Sequence, residues 1–374
     1  MPRKSDEPYL STYLHRKGHK LGIPVSGNFE LTARCNFNCP MCYVHLTPEQ
    51  LKASGKEELT AQQWLDIAKQ ARDSGMVFAL LTGGEPLVRK DFFEIYDGMR
   101  NMGILMSVNS NGSMIKGEVL ERFLQAPPVR LNISLYGGCN ETYRRMCGIP
   151  VYEDVKENIR ALRKAGVDVA LNLSITQYNR MDLEQIYADA VELDVNIRAA
   201  SYMYPSVRVN GEQYGCGNRL SAEESAACAV EWDLIRLPEE IFAQRAENMA
   251  HMINAEQEGC PVEIGEGVSC RAGRTTFWIT WDGRMIPCGM MTKVETYPME
   301  TGFENAWQQL REKSAQIRLP AKCVGCSYKE VCCVCASVCQ TETGRFDAAP
   351  EYVCKRTQEQ VRLTAKAYAE RKQK

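Results

Sequence analysis

Asn28-Phe-Glu-Leu-Thr-Ala-Arg-Cys-Asn-Phe-Asn-Cys-Pro-Met-Cys-Tyr43 begins as a strand over residues 28–34 and runs into three cysteines spaced C-x3-C-x2-C: Cys35, Cys39 and Cys42. Three thiolates fall one short of the four protein ligands that a structural zinc site or a closed iron–sulfur cluster takes. The shortfall points to a cluster with one iron open to another ligand. Placed at the C-terminal end of a first strand, the triad lies where parallel α/β folds gather their sites.

Outward from this stretch, apolar runs alternate with amphipathic ones. Residues 60–74 read as a helix opened by the capping box Thr60-Ala-Gln-Gln63. Strands are expected over residues 77–82, 104–109, 129–135, 168–175 and 195–202. Helices are expected between them over 90–102, 117–124, 152–165 and 181–193. Strands separated by helices of this length make βαβ units and a parallel sheet. Six such units fit a partial barrel as well as an open doubly wound sheet, and periodicity does not separate the two.

The 374 residues suffice for one large domain and a smaller one. A hydrophobic content of 44% and a charged content of 25% are those of an ordinary globular protein. A net charge of −2 gives no basic bias toward nucleic acid. No run of about 18 apolar residues is present to span a membrane. The polar start lacks the apolar core of an export signal, so a cytoplasmic protein is expected. In a reducing compartment, seventeen cysteines read as metal binding rather than disulfides. Cys323, Cys326, Cys332, Cys333, Cys335, Cys339 and Cys354 crowd the last 52 residues, whereas residues 43–138 hold none.

The expected organisation has five parts. Residues 1–26 form a polar, irregular N-terminal arm with a small basic patch at His15, Arg16, Lys17 and Lys20. Residues 27–205 carry the βα alternation. Residues 206–259 form a connector, glycine-rich over 207–218 and then helical with a break near Pro238. Residues 260–356 are a cysteine-rich domain containing a hairpin around Asp282-Gly283; where cysteines outnumber apolar residues, metal is needed for folding. Residues 357–374 are a charged helical tail.

A second motif, Thr82-Gly-Gly-Glu-Pro-Leu87, ends the second strand. Its glycines let a ligand approach the backbone, and its carboxylate can pair with an ammonium. With the cysteine triad one βα unit earlier, this motif resembles the signature of radical S-adenosylmethionine (SAM) enzymes. The resemblance covers residues 27–203 and implies an α/β fold, a partial (β/α)6 TIM-like barrel. It implies a [4Fe–4S] cluster on Cys35, Cys39 and Cys42, with SAM filling the open iron. A reductant such as flavodoxin or ferredoxin is then required. SAM is cleaved to methionine and a 5′-deoxyadenosyl radical, which abstracts a substrate hydrogen. Carried over by position, Gly83, Gly84 and Glu85, with Pro86, bind the SAM amino end. Ser110, Ser134 and, near the adenine, Tyr43 match further SAM contacts.

The C-terminal spacing Cys270-x12-Gly283-x4-Cys288, Cys323-x2-Cys326-x5-Cys332-x2-Cys335 and Cys354 resembles the SPASM domain. That resemblance implies two auxiliary [4Fe–4S] clusters. The outer one is held by Cys323, Cys326, Cys332 and Cys354. The inner one is held by Cys270, Cys288 and Cys335, with Cys260 as fourth ligand or with an open iron. One departure is visible: two residues, not three, separate Cys332 from Cys335, so Cys333 and Cys339 are alternatives. The C-x2-C pairs also match a zinc ribbon, and the radical SAM motifs upstream favour iron–sulfur. Cys139, Cys147, Cys216 and Cys228 fit no spacing and read as ordinary thiols. Cys216, in Tyr214-Gly-Cys-Gly217, is the exception to watch, as a further ligand or a catalytic thiol.

By resemblance the function is oxidative modification of a ribosomally made peptide or protein, by crosslinking or side-chain oxidation. Sulfatase-maturing members place an acidic residue where this chain has Gly289, which weakens that option. Residues 1–26 are too few for a leader-binding domain, so peptide recognition calls for a separate leader-binding protein or a leader-independent mode. A small-molecule reaction, such as tetrapyrrole modification, is the alternative, and a non-catalytic iron–sulfur electron carrier is a third. No catalytic residue is assigned; Tyr136, Arg144, Tyr202 and Cys216 are the candidate bases by position.

Overall fold

A computed structural model describes residues 9–205, 219–253 and 264–373. Eight strands occur among them: β1 Ser26–Glu30, β2 Phe78–Thr82, β3 Leu105–Ser110, β4 Arg130–Ser134, β5 Val169–Ser174, β6 Asn196–Ala200, β7 Thr276–Ile279 and β8 Met285–Ile286. The elements divide between two units. The first takes Met1–Asn36, Val44–Asn109 and Val268–Ile317; the second takes Phe37–Tyr43, Ser110–Gly267 and Arg318–Lys374. The chain is an α/β protein with mostly parallel strands, as in a partial (β/α)6 barrel.

In the first unit the strands run β3-β2-β1-β7-β8. β1 pairs in parallel with β2, Ser26 opposite Phe78 and Glu30 opposite Thr82. β2 pairs in parallel with β3. On the other side of β1 lies β7, also parallel, with Ser26 opposite Thr276. β8 closes the predicted hairpin antiparallel to β7, its turn made by Gly283 at φ 86°. The helix Ala61–Asp73 starts at Thr60, whose side chain accepts from the Gln63 amide in the expected capping box. It buries Trp64, Ile67, Ala68 and Ala71. The ring of Phe29 meets Trp64 edge-on at 6.0 Å and Phe277 at 5.9 Å, and Phe277 meets Phe303 at 5.0 Å. Such pairs add about 0.5–1.5 kcal/mol each beyond area burial. The core of this unit therefore forms around β1, the strand that leads to the cysteines.

Residues 9–21 are helical, not irregular as expected. The helix Tyr9–Leu21 buries His15 and Gly18 rather than large apolar side chains, so its packed face has no hydrophobic stripe to read.

In the second unit β4, β5 and β6 are parallel, with Leu131 opposite Val169 and Ala170 opposite Asn196. The helices Tyr152–Lys164 and Leu183–Glu192 follow β4 and β5 as read. An unexpected helix, Asn140–Cys147, buries Thr142, Tyr143, Met146 and Cys147 on one face of a mostly polar segment. The connector forms the helices Ala222–Arg236 and Glu239–Ile253, broken at Pro238. The C-terminal helix Glu351–Lys372 packs on both. The expected charged helical tail is helical, and it buries Val353, Arg356, Thr357, Gln360, Val361 and Thr364. Arg356 donates to Ser225 Oγ at 2.8 Å and Ser201 Oγ at 3.0 Å. The expected loop over 207–218, with Cys216, and the segment holding Cys260 lie outside the described residues. No described helix is long and apolar enough to cross a membrane.

The hairpin turn gives a pH-dependent contribution to stability. Burial favours the neutral form of Asp282, but hydrogen bonds from Lys56 and Thr280 and the charge of Arg284 outweigh it and hold the carboxyl below the usual aspartate range. A depressed folded-state pKa contributes stability above the unfolded value, lost as pH falls through the folded value. Asp282→Asn should lower the melting temperature at pH 7, and the gap to wild type should close below about pH 4. A gap unchanged between pH 7 and pH 3 in thermal denaturation would refute this.

Candidate active site

Beyond the ends of β1 and β2 the two backbones stay paired. Leu31 N–H donates to Thr82 O at 2.8 Å, Gly84 N–H to Thr32 O at 2.8 Å, and Glu85 N–H to Arg34 O at 2.9 Å. This pairing explains the two glycines. Gly83 sits at φ 152°, and a Cβ there would lie 2.7 Å from Thr32 O. A Cβ on Gly84 would lie 2.3 Å from Arg34 O. The glycines therefore let the Gly83-Gly84-Glu85 turn approach the backbone that delivers Cys35, besides any ligand. Glu85 is fully buried, and its Oε1 accepts from Leu87 N–H at 3.1 Å, capping the short turn Pro86–Val88.

Glu58 gathers the same segment from the other side, and nothing in the run Lys56-Glu-Glu-Leu59 distinguishes it by pattern. Its Oε1 accepts from Thr32 Oγ1 and from Ala33 N–H at 3.2 Å, and its Oε2 from Arg34 Nη2 at 2.9 Å. Arg89, buried, lies 3.7 Å from Glu58, donates to Leu31 O at 2.9 Å and pairs in a fork with Asp91. Leu46 N–H donates to Ala33 O at 3.0 Å, pinning the base of the cysteine loop.

Cys35 belongs to the first unit, and Cys39 and Cys42 to the second. Within the second, Cys42 N–H donates to Cys39 O at 3.1 Å and Asn38 N–H to Cys147 O at 3.0 Å. The Cys39 thiol is hydrogen-bonded to Cys147 and to the Tyr136 hydroxyl. The bond to Cys147 and burial push that thiol up. Cys147, expected as an ordinary thiol, thus packs against one of the triad. Burial, with Cys39 and Cys147 nearby, pushes the Tyr136 phenol well up, and Ser134 hydrogen-bonds it. Ser110 Oγ accepts from Gly112 N–H at 3.0 Å, and Asn158 holds Gly112 O at 2.9 Å. Tyr43 is half-buried. Arg144 is exposed and paired with Glu141 on its own helix, and the Tyr202 hydroxyl donates to Glu342 at 2.7 Å.

The C-terminal cysteines of the second unit form a distinct constellation. Cys323, Cys326, Cys332 and Cys354 line one partly open cavity of about 210 Å³, together with Val334, Val353 and Thr357. Thr357 Oγ1 donates to Cys332 Sγ at 3.5 Å. Burial pushes the Cys323 thiol up to about 11, and the neighbouring Cys354, Cys332 and Cys326 add to the shift. Cys333, Cys335 and Cys339 do not line the cavity. Cys333 is exposed. Cys335 precedes the helix Ala336–Thr343 with its Sγ 3.1 Å from Ser337 Oγ. Cys339 is buried within that helix. Among the described residues no three Cys, His, Asp or Glu side chains are gathered as one metal ion requires. Of the remaining expected ligands, Cys270 is exposed and Cys288 half-buried in the first unit.

The Radical SAM superfamily model matches residues 29–190, which contain both motifs. Residues 29–190 carry a radical SAM domain. An AdoMet-dependent heme synthase from Methanosarcina barkeri is 25% identical over 336 residues, 85% of this chain and 93% of that protein. A PqqA peptide cyclase from Streptomyces rochei is 25% identical over 294 residues, 78% and 76% of the two chains. SuiB from Streptococcus suis, solved bound to its precursor peptide SuiA, superimposes with a TM-score of 0.63 at 16% identity, over 95% of this chain and 82% of SuiB. The SuiB likeness shows that the fold reaches well beyond the radical SAM domain into the cysteine-rich C-terminus.

The close approach of the two motifs is open to direct test. Gly84→Ala sets a methyl against a backbone carbonyl, so it should cost about 1–3 kcal/mol of stability. It should also reduce the iron retained after anaerobic reconstitution. Chemical denaturation and an iron assay report the two effects. A variant matching wild type in both would show that the pairing of residues 32–34 with 83–85 is dispensable.

Proposed function

We propose that this chain is a radical SAM oxidoreductase that modifies a ribosomally made peptide or protein and carries at least one auxiliary [4Fe–4S] cluster. The single observation carrying the auxiliary cluster is the cavity bounded by Cys323, Cys326, Cys332 and Cys354. Four thiols lining one cavity suit a cubane, and they are the four that the SPASM resemblance implies. The peptide class is supported by the PqqA peptide cyclase relative and by the peptide-bound SuiB fold.

Cys35, Cys39 and Cys42 hold the SAM cluster in this reading. When bound, cluster and SAM supply a 5′-deoxyadenosyl radical for hydrogen abstraction. The chain's own residues do the rest. The Thr32–Arg34 backbone, clamped by Glu58 and Arg89, fixes where the cysteine loop begins. Glu85, held by Leu87 N–H, offers a preoriented carboxylate to the SAM ammonium. Ser110, Ser134 and Tyr43 complete the SAM surroundings. Tyr136 hydrogen-bonds the Cys39 thiol and so helps to position the loop. A flavodoxin or ferredoxin provides the electron.

A second reading has a specific observation behind it. The heme synthase relative is covered over 93% of its length, so a tetrapyrrole is the alternative substrate.

Anaerobically reconstituted protein with SAM and reductant should release 5′-deoxyadenosine, and Cys35→Ala should abolish that release. Cys326→Ala should lose about four irons per chain yet still cleave SAM. Parallel incubations with peptides encoded beside the gene and with an iron tetrapyrrole, read by mass spectrometry, separate the two substrate classes. An iron content unaffected by Cys326→Ala would remove the auxiliary cluster from the cavity.

A further inference from the structure

Cys147 and Tyr136 belong to neither signature motif, yet both reach the Cys39 sulfur. All three residues lie in the second unit. The helix Asn140–Cys147 stops at Gly148, which sits in the left-handed region at φ 86° with its N–H donating to Arg144 O at 3.0 Å. This helix end is joined to the cysteine loop, because Asn38 N–H donates to Cys147 O at 3.0 Å. Cys147 and Cys39 are 1% and 6% exposed, so water has little access to the contact between their sulfurs.

Tyr136 comes from the end of β4 and is fixed through both of its backbone groups. Its N–H donates to Tyr143 Oη at 3.3 Å, and its carbonyl accepts from Asn179 Nδ2 at 3.0 Å. Its ring lies 6.2 Å from that of Phe37, two residues before Cys39, and 6.2 Å from that of Tyr143. Its hydroxyl bonds to Cys39 and to Ser134. A cysteine that ligates iron does so as a thiolate, which has lone pairs and no proton. Its hydrogen-bond partners must then be donors. Cys147 has an S–H to give and Tyr136 an O–H, and the Tyr136 oxygen accepts in turn from the Ser134 hydroxyl.

We infer that Cys147 and Tyr136 are positioning residues for the SAM cluster, which through Cys39 fix one corner of it and raise its reduction potential. Reduction adds negative charge to the cluster, and a hydrogen bond donated to a ligating sulfur stabilises the more negative state. The S–H group is the weaker donor, so Tyr136 has the larger share. The inference rests on the reading of Cys35, Cys39 and Cys42 as holders of the SAM cluster. It is independent of the substrate class.

A redox titration of the anaerobically reconstituted full chain, followed by electron paramagnetic resonance, tests this. The signal that changes on adding SAM is that of the cluster on the triad. Tyr136→Phe keeps the ring against Phe37 and Tyr143 and removes only the hydroxyl. At a fixed potential it should lower the ratio of reduced to oxidised cluster about tenfold, which is about 59 mV for one electron. Cys147→Ala should lower the ratio about threefold, and Cys147→Ser, which keeps a donor, should restore it. Iron content in Tyr136→Phe and Cys147→Ser should match wild type, so that the shift reports hydrogen bonding and not a lost cluster. A SAM-responsive signal that survives Cys35→Ala would overturn the cluster reading and this inference with it. A potential unchanged or raised in Tyr136→Phe, or an equal shift in Cys147→Ala and Cys147→Ser, would overturn the inference and leave the cluster reading intact.

Discussion

The backbone pairing of residues 31–34 with residues 82–85 sets the geometry of everything at the cysteine end of the first unit. It prolongs the β1–β2 register past the ends of the strands, and it needs a glycine at each of positions 83 and 84, because a Cβ would strike the Thr32 or Arg34 carbonyl. Three amide bonds of this kind are individually modest, about 1 kcal/mol each. Their weight lies in where they act. They fix the residues just before Cys35 to the residues just before Glu85, so the two motifs cannot shift independently. Glu58 and Arg89 hold the other edge of the same segment.

The motifs were legible in the sequence because ligand chemistry imposes short spacings that survive any fold. The alternation of strand and helix over residues 60–200 was legible for a similar reason, since each element is local and its capping or turn signals are local too. The capping box at Thr60 and the turn at Gly283 are cases where sequence and structure agree residue by residue. What escaped notice depends on partners distant in sequence. Glu58 has no pattern of its own and gains its role from Thr32, Arg34 and Arg89. Cys147 sits in no ligand spacing, yet it meets Cys39 because the helix Asn140–Cys147 delivers it. The helix Tyr9–Leu21 packs through a histidine and a glycine, which leave no apolar period.

The C-terminal helix illustrates the same point at larger scale. Its composition is that of a solvated tail, but buried Arg356 is hydrogen-bonded to Ser201 and Ser225, and Thr357 to Cys332. A charged residue is tolerated inside because its donors are matched. The helix also carries Cys354 into the cavity that holds Cys323, Cys326 and Cys332. Packing of this helix on the connector helices and assembly of the thiols are consequently one event, so the cavity and its walls should be gained or lost together.

The place of β7 has a consequence for how the protein is made. β1 is flanked by β2 and by β7, and Ser26 pairs with Thr276, about 250 residues later in the chain. At about 5–20 residues per second, a ribosome takes roughly 12–50 s to make that interval. During this time the first strand has an open edge, and a strand with unpaired amides invites pairing with other chains. The cysteine loop that follows β1 thus hangs from an unfinished sheet until residues beyond 279 have emerged. The support of the cysteine loop is therefore completed late in synthesis, not when the loop itself emerges.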